Sequence, residues 1–438
     1  MRSSNRDHIA LQRGAFATVL FLAALFASAA LLQANQKNKK GDTPPPAAPK
    51  KIDYSNIVWP NPPAIARIRY VKWYGGDNKK RTTSGNVAKK SKWMDRLAGT
   101  QNTTEVFKLP FQLIQPHGIA VDSQGNLFIA DAKVGAIFIF NTKTYDVDLL
   151  KNGVHARFAR ITGLAMDDDD RLFVSDPALR HVLILGKDHA TPKTGTESST
   201  GPFEPGKDYK SKDVITEGLQ NPSGLGIDTR NRLLYVADID LDQVLVYDAD
   251  SLKLLRKIGT TGHNHELSTP GDFSKPMAVA VNAEGNLYVA DTMNNRIEVF
   301  DADGTFIETY GKNGDGPGYF SRPKGVAIDG DGNIWVADGM QDRVQVFNPK
   351  WQLLISFGGH GLNPGQFQAL EDIYIDKNNR VFTTEIFPGR AQEFQYVNEA
   401  EAQKERDKRT AEKQNSVATK GTSDTPAQAS SPTTPQKN

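Results

Sequence analysis

The residues best suited to chemistry in this chain are its histidines, because imidazole titrates near neutrality and serves equally as proton shuttle and metal ligand. Of eight, His117, His155, His263 and His360 fall in or beside the connections that enter successive copies of a recurring segment. Arg160 and Tyr374 occupy comparable places, Tyr374 on an innermost strand. If those connections gather on one face, the six form a binding site at the mouth of a channel, able to hold a metal or an acid–base centre. Spacing alone does not bring them together, so no residue is assigned a catalytic role from the sequence. The remaining histidines are less suggestive: His181 and His189 flank a strand, His265 sits in a loop and His8 precedes an apolar run. Among the acids, Asp238, Asp240 and Asp242 are weak candidates for a hard cation, as is the run Asp167 to Asp170. Neither lies in a twelve-residue calcium loop. There is no Gly-x-Ser-x-Gly turn and no His-Glu-x-x-His helix, and the absence of cysteine excludes thiol nucleophiles, Cys-type zinc sites and disulfides. No cofactor is expected, with calcium or zinc as the alternative.

These residues must be positioned by the repeat itself. Pro116-His-Gly-Ile-Ala-Val-Asp122 recurs as Thr162 to Asp167, Pro222 to Asp228, Pro276 to Asn282, Pro323 to Asp329 and Leu370 to Asp376. Each copy is followed by a second apolar strand ending in an acid, at 131, 176, 238, 291, 338 and 385. A third strand follows, and fourth strands are clear at 254–258, 306–310 and 353–357. Four short strands every 45 to 62 residues are the signature of propeller blades. The spacing predicts an all-β fold, a six-bladed β-propeller of four-stranded antiparallel blades. The sixth copy lacks a fourth strand, and 68–74, ahead of the first copy, has the matching pattern. That N-terminal strand is expected to complete the last blade. The acids ending the second strands are read as structural, pairing with an Arg that opens the third: Asp291 with Arg296, Asp338 with Arg343. Phe140, Tyr247, Phe300 and Phe347 are expected between blades.

Outside the ring the composition changes. Arg2, Arg6 and Arg13 precede an apolar run, Gly14 to Leu32, so 1–33 reads as a signal peptide or an N-terminal transmembrane anchor, with Ala29 the cleavage point in the first case. Residues 34–56 form a Lys/Pro-rich spacer, 57–397 the propeller, and 398–438 a charged, then Ser/Thr/Pro-rich disordered tail. Within 77–115 lie an inserted basic loop and a short helix at Trp93 to Gly99. Lys187 to Asp213 reads as an excursion from the second blade. With 53 Lys plus Arg against 51 Asp plus Glu in 438 residues, bulk charge does not favour nucleic acid. The location expected is the bacterial cell envelope: the periplasmic side of the inner membrane if the leader is kept, periplasmic or secreted if cleaved. The expected partner is another envelope protein or a small ligand, with the membrane engaged through the N-terminal segment.

The Pro-x-Gly-Ile/Val-Ala-Val/Ile-Asp, Gly-Asn-Leu/Ile-Tyr/Trp-Val-Ala-Asp and Asn-Arg-Ile-x-Val-Phe elements, clearest over Pro276 to Gly311 and Pro323 to Gly358, resemble the NHL-repeat family. Trp59 to Pro63 followed by Arg67 to Val71 is similar to the start of its bacterial exported six-bladed members. The resemblance implies a propeller and leaves function broad, since the family and its structural relatives include protein- and RNA-binding propellers, an amidating lyase and lactonase-like hydrolases. The expectation drawn is a non-enzymatic extracytoplasmic scaffold for protein or ligand binding. A metal-dependent lyase or hydrolase and a structural part of an envelope complex are the alternatives.

Overall fold

In the computed structural model, residues 53–75, 112–151, 157–187, 204–260 and 269–421 are described. The leader, the basic segment 77–92, Trp93 to Gly99, His155, His189, His263, His265 and the tail beyond Gly421 lie outside them. The chain divides into two compact units, Met1–Asp53 and Tyr54–Asn438, and the architecture below belongs to the second.

Six antiparallel sheets form the blades, each running outward from the repeat's first strand. Blade 1, for example, comprises Pro116–Val121, Asn126–Asp131, Ala136–Asn141 and Val147–Lys151. The six inner strands begin on one face, called here the entry face, and end on the opposite, exit face. Alternation along these strands sends odd and even side chains to different neighbours. In blade 1, Ile119 joins the cluster shared with blade 6, whereas Ala120 joins the cluster shared with blade 2. Phe140, Tyr247, Phe300 and Phe347 lie in four such inter-blade clusters, as expected. Large side chains fully removed from water, among them Trp335, Phe128 and Phe382, each contribute roughly 1.5–3 kcal/mol.

The ring closes as the sequence predicts. Strand β2, Ile68–Tyr74, pairs with Arg390–Tyr396 of blade 6, and β1, Val58–Trp59, pairs with β2 as a fifth strand. Two details differ from expectation. Tyr209–Ile215 is the fourth strand of blade 2, not part of an excursion: Tyr209 and Ile215 are buried, Lys210 is half-buried, and the four residues from Ser211 to Val214 face solvent. The charged start of the tail, Glu399 to Lys413, reads from the sequence as a solvated helix and is helical, but the helix, α1, Glu399–Gly421, runs on past Lys420 into the stretch read as disordered. A reciprocal cap starts it, the Glu401 amide donating to Asn398 and the Asn398 amide to Glu401. It rests on the closing strand through Arg67–Glu399 and Arg69–Glu405 ion pairs of 2.6 and 2.5 Å. Among the described residues no helix is long and apolar enough to cross a membrane.

The recurring acids stabilise turns. Asp131 accepts the amides of Ile114, Gln115, Lys133 and Val134, tying the loop that enters the blade to the hairpin between its second and third strands. Asp176, Asp238 and Asp338 do the same in their blades. Asp291 pairs with Arg296 at 2.8 Å as expected, and Glu385 pairs with Arg390 in the same way. Asp338 and Arg343 do not form the expected pair. Four amides already fill the Asp338 carboxylate, and Arg343 turns to the Gln341 side chain and the Asp315 carbonyl.

Candidate functional site

The inner strands share a local irregularity that builds the site. In blades 1 and 3 to 6 the pairing register shifts just after the strand's first residue. The second residue is thereby freed from the ladder. Those residues are His117, Ser223, Met277, Lys324 and Glu371; together with Thr162, at the same place in blade 2, they line a cavity of about 290 Å³ at the entry-face mouth of the channel. The third position is Gly in blades 1, 2, 3 and 5 for a steric reason. A Cβ on Gly118 would lie 2.4 Å from the Thr162 carbonyl oxygen, and one on Gly163 2.1 Å from that of Ser223, so adjacent inner strands approach backbone to backbone. Blade 6 breaks the pattern. It carries Asp372 at the third position and Tyr374 at the fifth, where the others carry Ala or Gly.

The ionisable members of the ring stand on three consecutive blades. Glu371 of blade 6 is buried, with His117 Nδ1 of blade 1 at 3.4 Å on one oxygen and the Lys324 ammonium of blade 5 on the other. Burial acts to raise its pKa, but the hydrogen bonds and charges of His117 and Lys324 prevail and hold it below the usual glutamate range. Glu371 is therefore an anion at neutral pH, placed to fix the imidazole ring. Asp372, beside it, is the opposite case. Desolvation pushes its pKa up to about 7, against the help of the Ile373 and Ile119 amides. Two neighbouring carboxyl groups thus have divergent acidities, an arrangement suited to acid–base work. Arg160 lies exposed at the rim of the same cavity. Thr162 and Ser223 bring hydroxyls to the far side, each hydrogen-bonded to a backbone carbonyl of the next blade.

Of the residues singled out from sequence, the structure brings His117 and Arg160 to the mouth. His360 is not there: its ring pairs with Asp342 at 2.7 Å and stands in solvent. Tyr374 lines the bore and the exit-face opening. His155 and His263 lie outside the described residues. The second-position ring was missed, and with it Glu371, Lys324 and Asp372. The signal was present in the repeat, as a variable second position between a first residue that is Pro in four copies and a third that is Gly or Ala in five.

A second group of acids lies at the exit face. Ligand atoms of Asp167, Asp168 and Asp169 come within 4.8 Å of one another, so these carboxylates are capable in principle of holding a metal ion. Arg232 already faces all three, at 3.5, 2.9 and 3.9 Å, and Arg171 pairs with Asp167 at 2.7 Å. Asp238, Asp240 and Asp242 do not form the cation site proposed for them. Asp238 is buried under backbone amides, Asp240 faces Lys275, and Asp242 accepts the Lys275 amide.

Comparison with known proteins agrees on the fold. The chain matches a family described as 6-bladed beta-propeller over residues 273–350 and the NHL repeat over 113–140. It is 32% identical over 158 residues to human NHL repeat-containing protein 2, covering 33% of this chain and 21% of that protein. It is 48% identical over 44 residues to Protein brain tumor of Drosophila melanogaster, covering 10% of this chain and 4% of that one. The chain thus spans about a fifth or less of these relatives. Among solved structures, virginiamycin B lyase from Staphylococcus aureus with quinupristin is similar at 14% identity and TM-score 0.44, covering 65% of this chain and 81% of the lyase. Kuenenia stuttgartiensis hydrazine synthase is similar at 13% identity and TM-score 0.44, with 67% and 97% covered. Likeness of this depth concerns the fold: an NHL-repeat-associated six-bladed propeller.

The expectation of a non-enzymatic scaffold is corrected by these observations. The Asp167–Asp169 carboxylates converge to metal-bonding range, and the mouth sets a buried carboxylate between an imidazole and an ammonium. Such groups go beyond what a passive docking face requires.

Proposed function

We propose that the chain is an extracytoplasmic propeller enzyme of the lyase or hydrolase type, working by proton transfer at the entry-face mouth. One observation carries the reading: buried Glu371 sits between His117 and Lys324, contributed by three consecutive blades to one cavity. In this reading His117 takes a proton from the substrate or from water and returns it to the leaving group, while Glu371 keeps the ring oriented. Lys324 and Arg160 stabilise negative charge that develops on substrate oxygen. Asp372, with its pKa near neutrality, supplies or receives the second proton. The leader, Arg2 to Leu32, supports export and attachment to the membrane. A cation at Asp167–Asp169 belongs to the opposite end of the channel and takes no part in this step.

The test is a panel of small esters, lactones and β-eliminable ethers, offered to the full chain and to Glu371→Gln and followed by proton release. Turnover by the native chain that falls about a hundredfold or more in the variant is expected. Turnover of the same size in both would overturn the reading.

A further inference from the structure

The exposed apolar side chains of this molecule are not scattered evenly. On the entry face, Val134, Met293, Met340 and Phe387 cap the hairpins between second and third strands of blades 1, 4, 5 and 6, and Ile114 and Leu362 protrude from entering loops. Their exposure runs from 40% at Val134 to 63% at Met340, so they stand clear of the protein surface. They follow an arc of four consecutive blades. The corresponding tips of blades 2 and 3 expose Arg180 and Asp240 instead. The exit face shows only Tyr145 among exposed large apolar residues, counted over the described residues. An arc of apolar tips on one face marks a contact surface.

Charge and chain path indicate what covers it. Lys133, Lys312 and Arg322 are exposed on the arc, where Asp315 is the only exposed acid among the described residues. The chain leaves the propeller at Gly75 and returns at Gln112, and the Leu113 amide joins the two ends by donating to the Gly75 carbonyl. Gly389, of the hairpin that carries Phe387, lies against Leu113. The intervening 76–111, outside the described residues, holds eight Lys or Arg against three acids. Apolar tips ringed by cations match the headgroup layer of an anionic bilayer, where side chains enter the interface and each nearby Lys or Arg adds attraction.

We infer that the entry face docks on an anionic lipid surface through the apolar tips of blades 4, 5, 6 and 1. Because blades 2 and 3 lack such tips, the contact is tilted and leaves that side of the mouth open. The inference does not depend on the chemistry at the mouth.

The cysteine-free chain allows a direct test. Single substitutions Met340→Cys and Phe387→Cys in the full chain receive an environment-sensitive nitrobenzoxadiazole label, with Leu255→Cys on the outer rim and Tyr145→Cys on the exit face as controls. The proteins are reconstituted with vesicles of phosphatidylglycerol and phosphatidylcholine, with and without doxyl-labelled lipid. A blue shift and doxyl quenching at positions 340 and 387, absent at 255 and 145 and reduced in vesicles of phosphatidylcholine alone, is the expected result. Equal responses at all four positions, or none, would overturn it. So would a shift at 340 and 387 without lipid, which would assign the face to a second copy of the chain. Proton-release turnover is read separately, so loss of one result leaves the other standing.

Discussion

His117 Nδ1 lies 3.4 Å from Glu371 Oε2, across the seam where the last blade meets the first. That seam is also where the small-residue pattern of the inner strands fails, with Asp372 and Tyr374 in place of Gly and Ala. Ring closure and the candidate chemistry thus occupy the same junction. Glu371 depends on partners from both neighbouring blades, so substitutions there have electrostatic consequences that a solvated ion pair would not.

Lys324→Met removes one of the two groups that keep Glu371 ionised. The native carboxylate, with its pKa held down, contributes stability above the unfolded-state pKa that is lost as pH falls through the folded value. In the variant that contribution shrinks, and the acid limb of the stability curve moves to higher pH. Urea midpoints measured between pH 3 and 7 check this, and superimposable acid limbs for the two proteins would contradict it.

Asp372 and Glu298 give the opposite dependence. Burial pushes both up to about 7, so from the ordinary carboxylate range up to neutrality the folded state binds more protons than the unfolded one. Stability from each group therefore falls as pH rises through that window, by at most about 1.4 kcal/mol per pH unit. In blades 5 and 6 the position of Glu298 is taken by Gln345 and Gln392, each accepting an entering-loop amide and donating to a loop carbonyl. Glu298→Gln and Asp372→Asn are expected to be more stable than the native chain at pH 8 and to lose that advantage at pH 5. Thermal melts at the two values are the check.

Gly163→Ala tests the close approach of inner strands. The added methyl meets the Ser223 carbonyl oxygen at 2.1 Å and the Ser175 hydroxyl oxygen at 2.8 Å. Backbone has to move, at a cost of about 1–3 kcal/mol. A denaturant midpoint unchanged from the native chain would show that the seam is looser than described.

Arg232→Gln addresses the exit-face carboxylates. With Arg232 in place, calcium or zinc has to displace a guanidinium from three acids. Metal added to the native chain should leave the melting temperature unchanged, and should raise it in the variant. A rise in the native chain would show that the cation displaces Arg232.

Much of the fold was legible because the propeller repeats its instructions. The turn Asp122 to Asn126 needs a residue at positive φ, and Gly125 supplies it at 85°. The fourth strand of blade 2 was obscured because Tyr209–Ile215 carries Lys, Ser, Lys and Asp between its buried ends, which reads locally as a loop. The mouth was legible only at His117 and Arg160. Glu371 and Lys324 look like ordinary surface charges in a strand pattern, and only stacking the six copies places them in one ring. His360 misled for the converse reason: its loop lies on the entry face, but the bond to Asp342 holds it away from the cavity.

The most direct test of the central claim compares His117→Gln with His360→Gln in the proton-release assay, using a substrate that the native chain turns over. The account predicts a loss of roughly 10²- to 10⁴-fold for His117→Gln, with His360→Gln close to native. Native turnover in His117→Gln would contradict it.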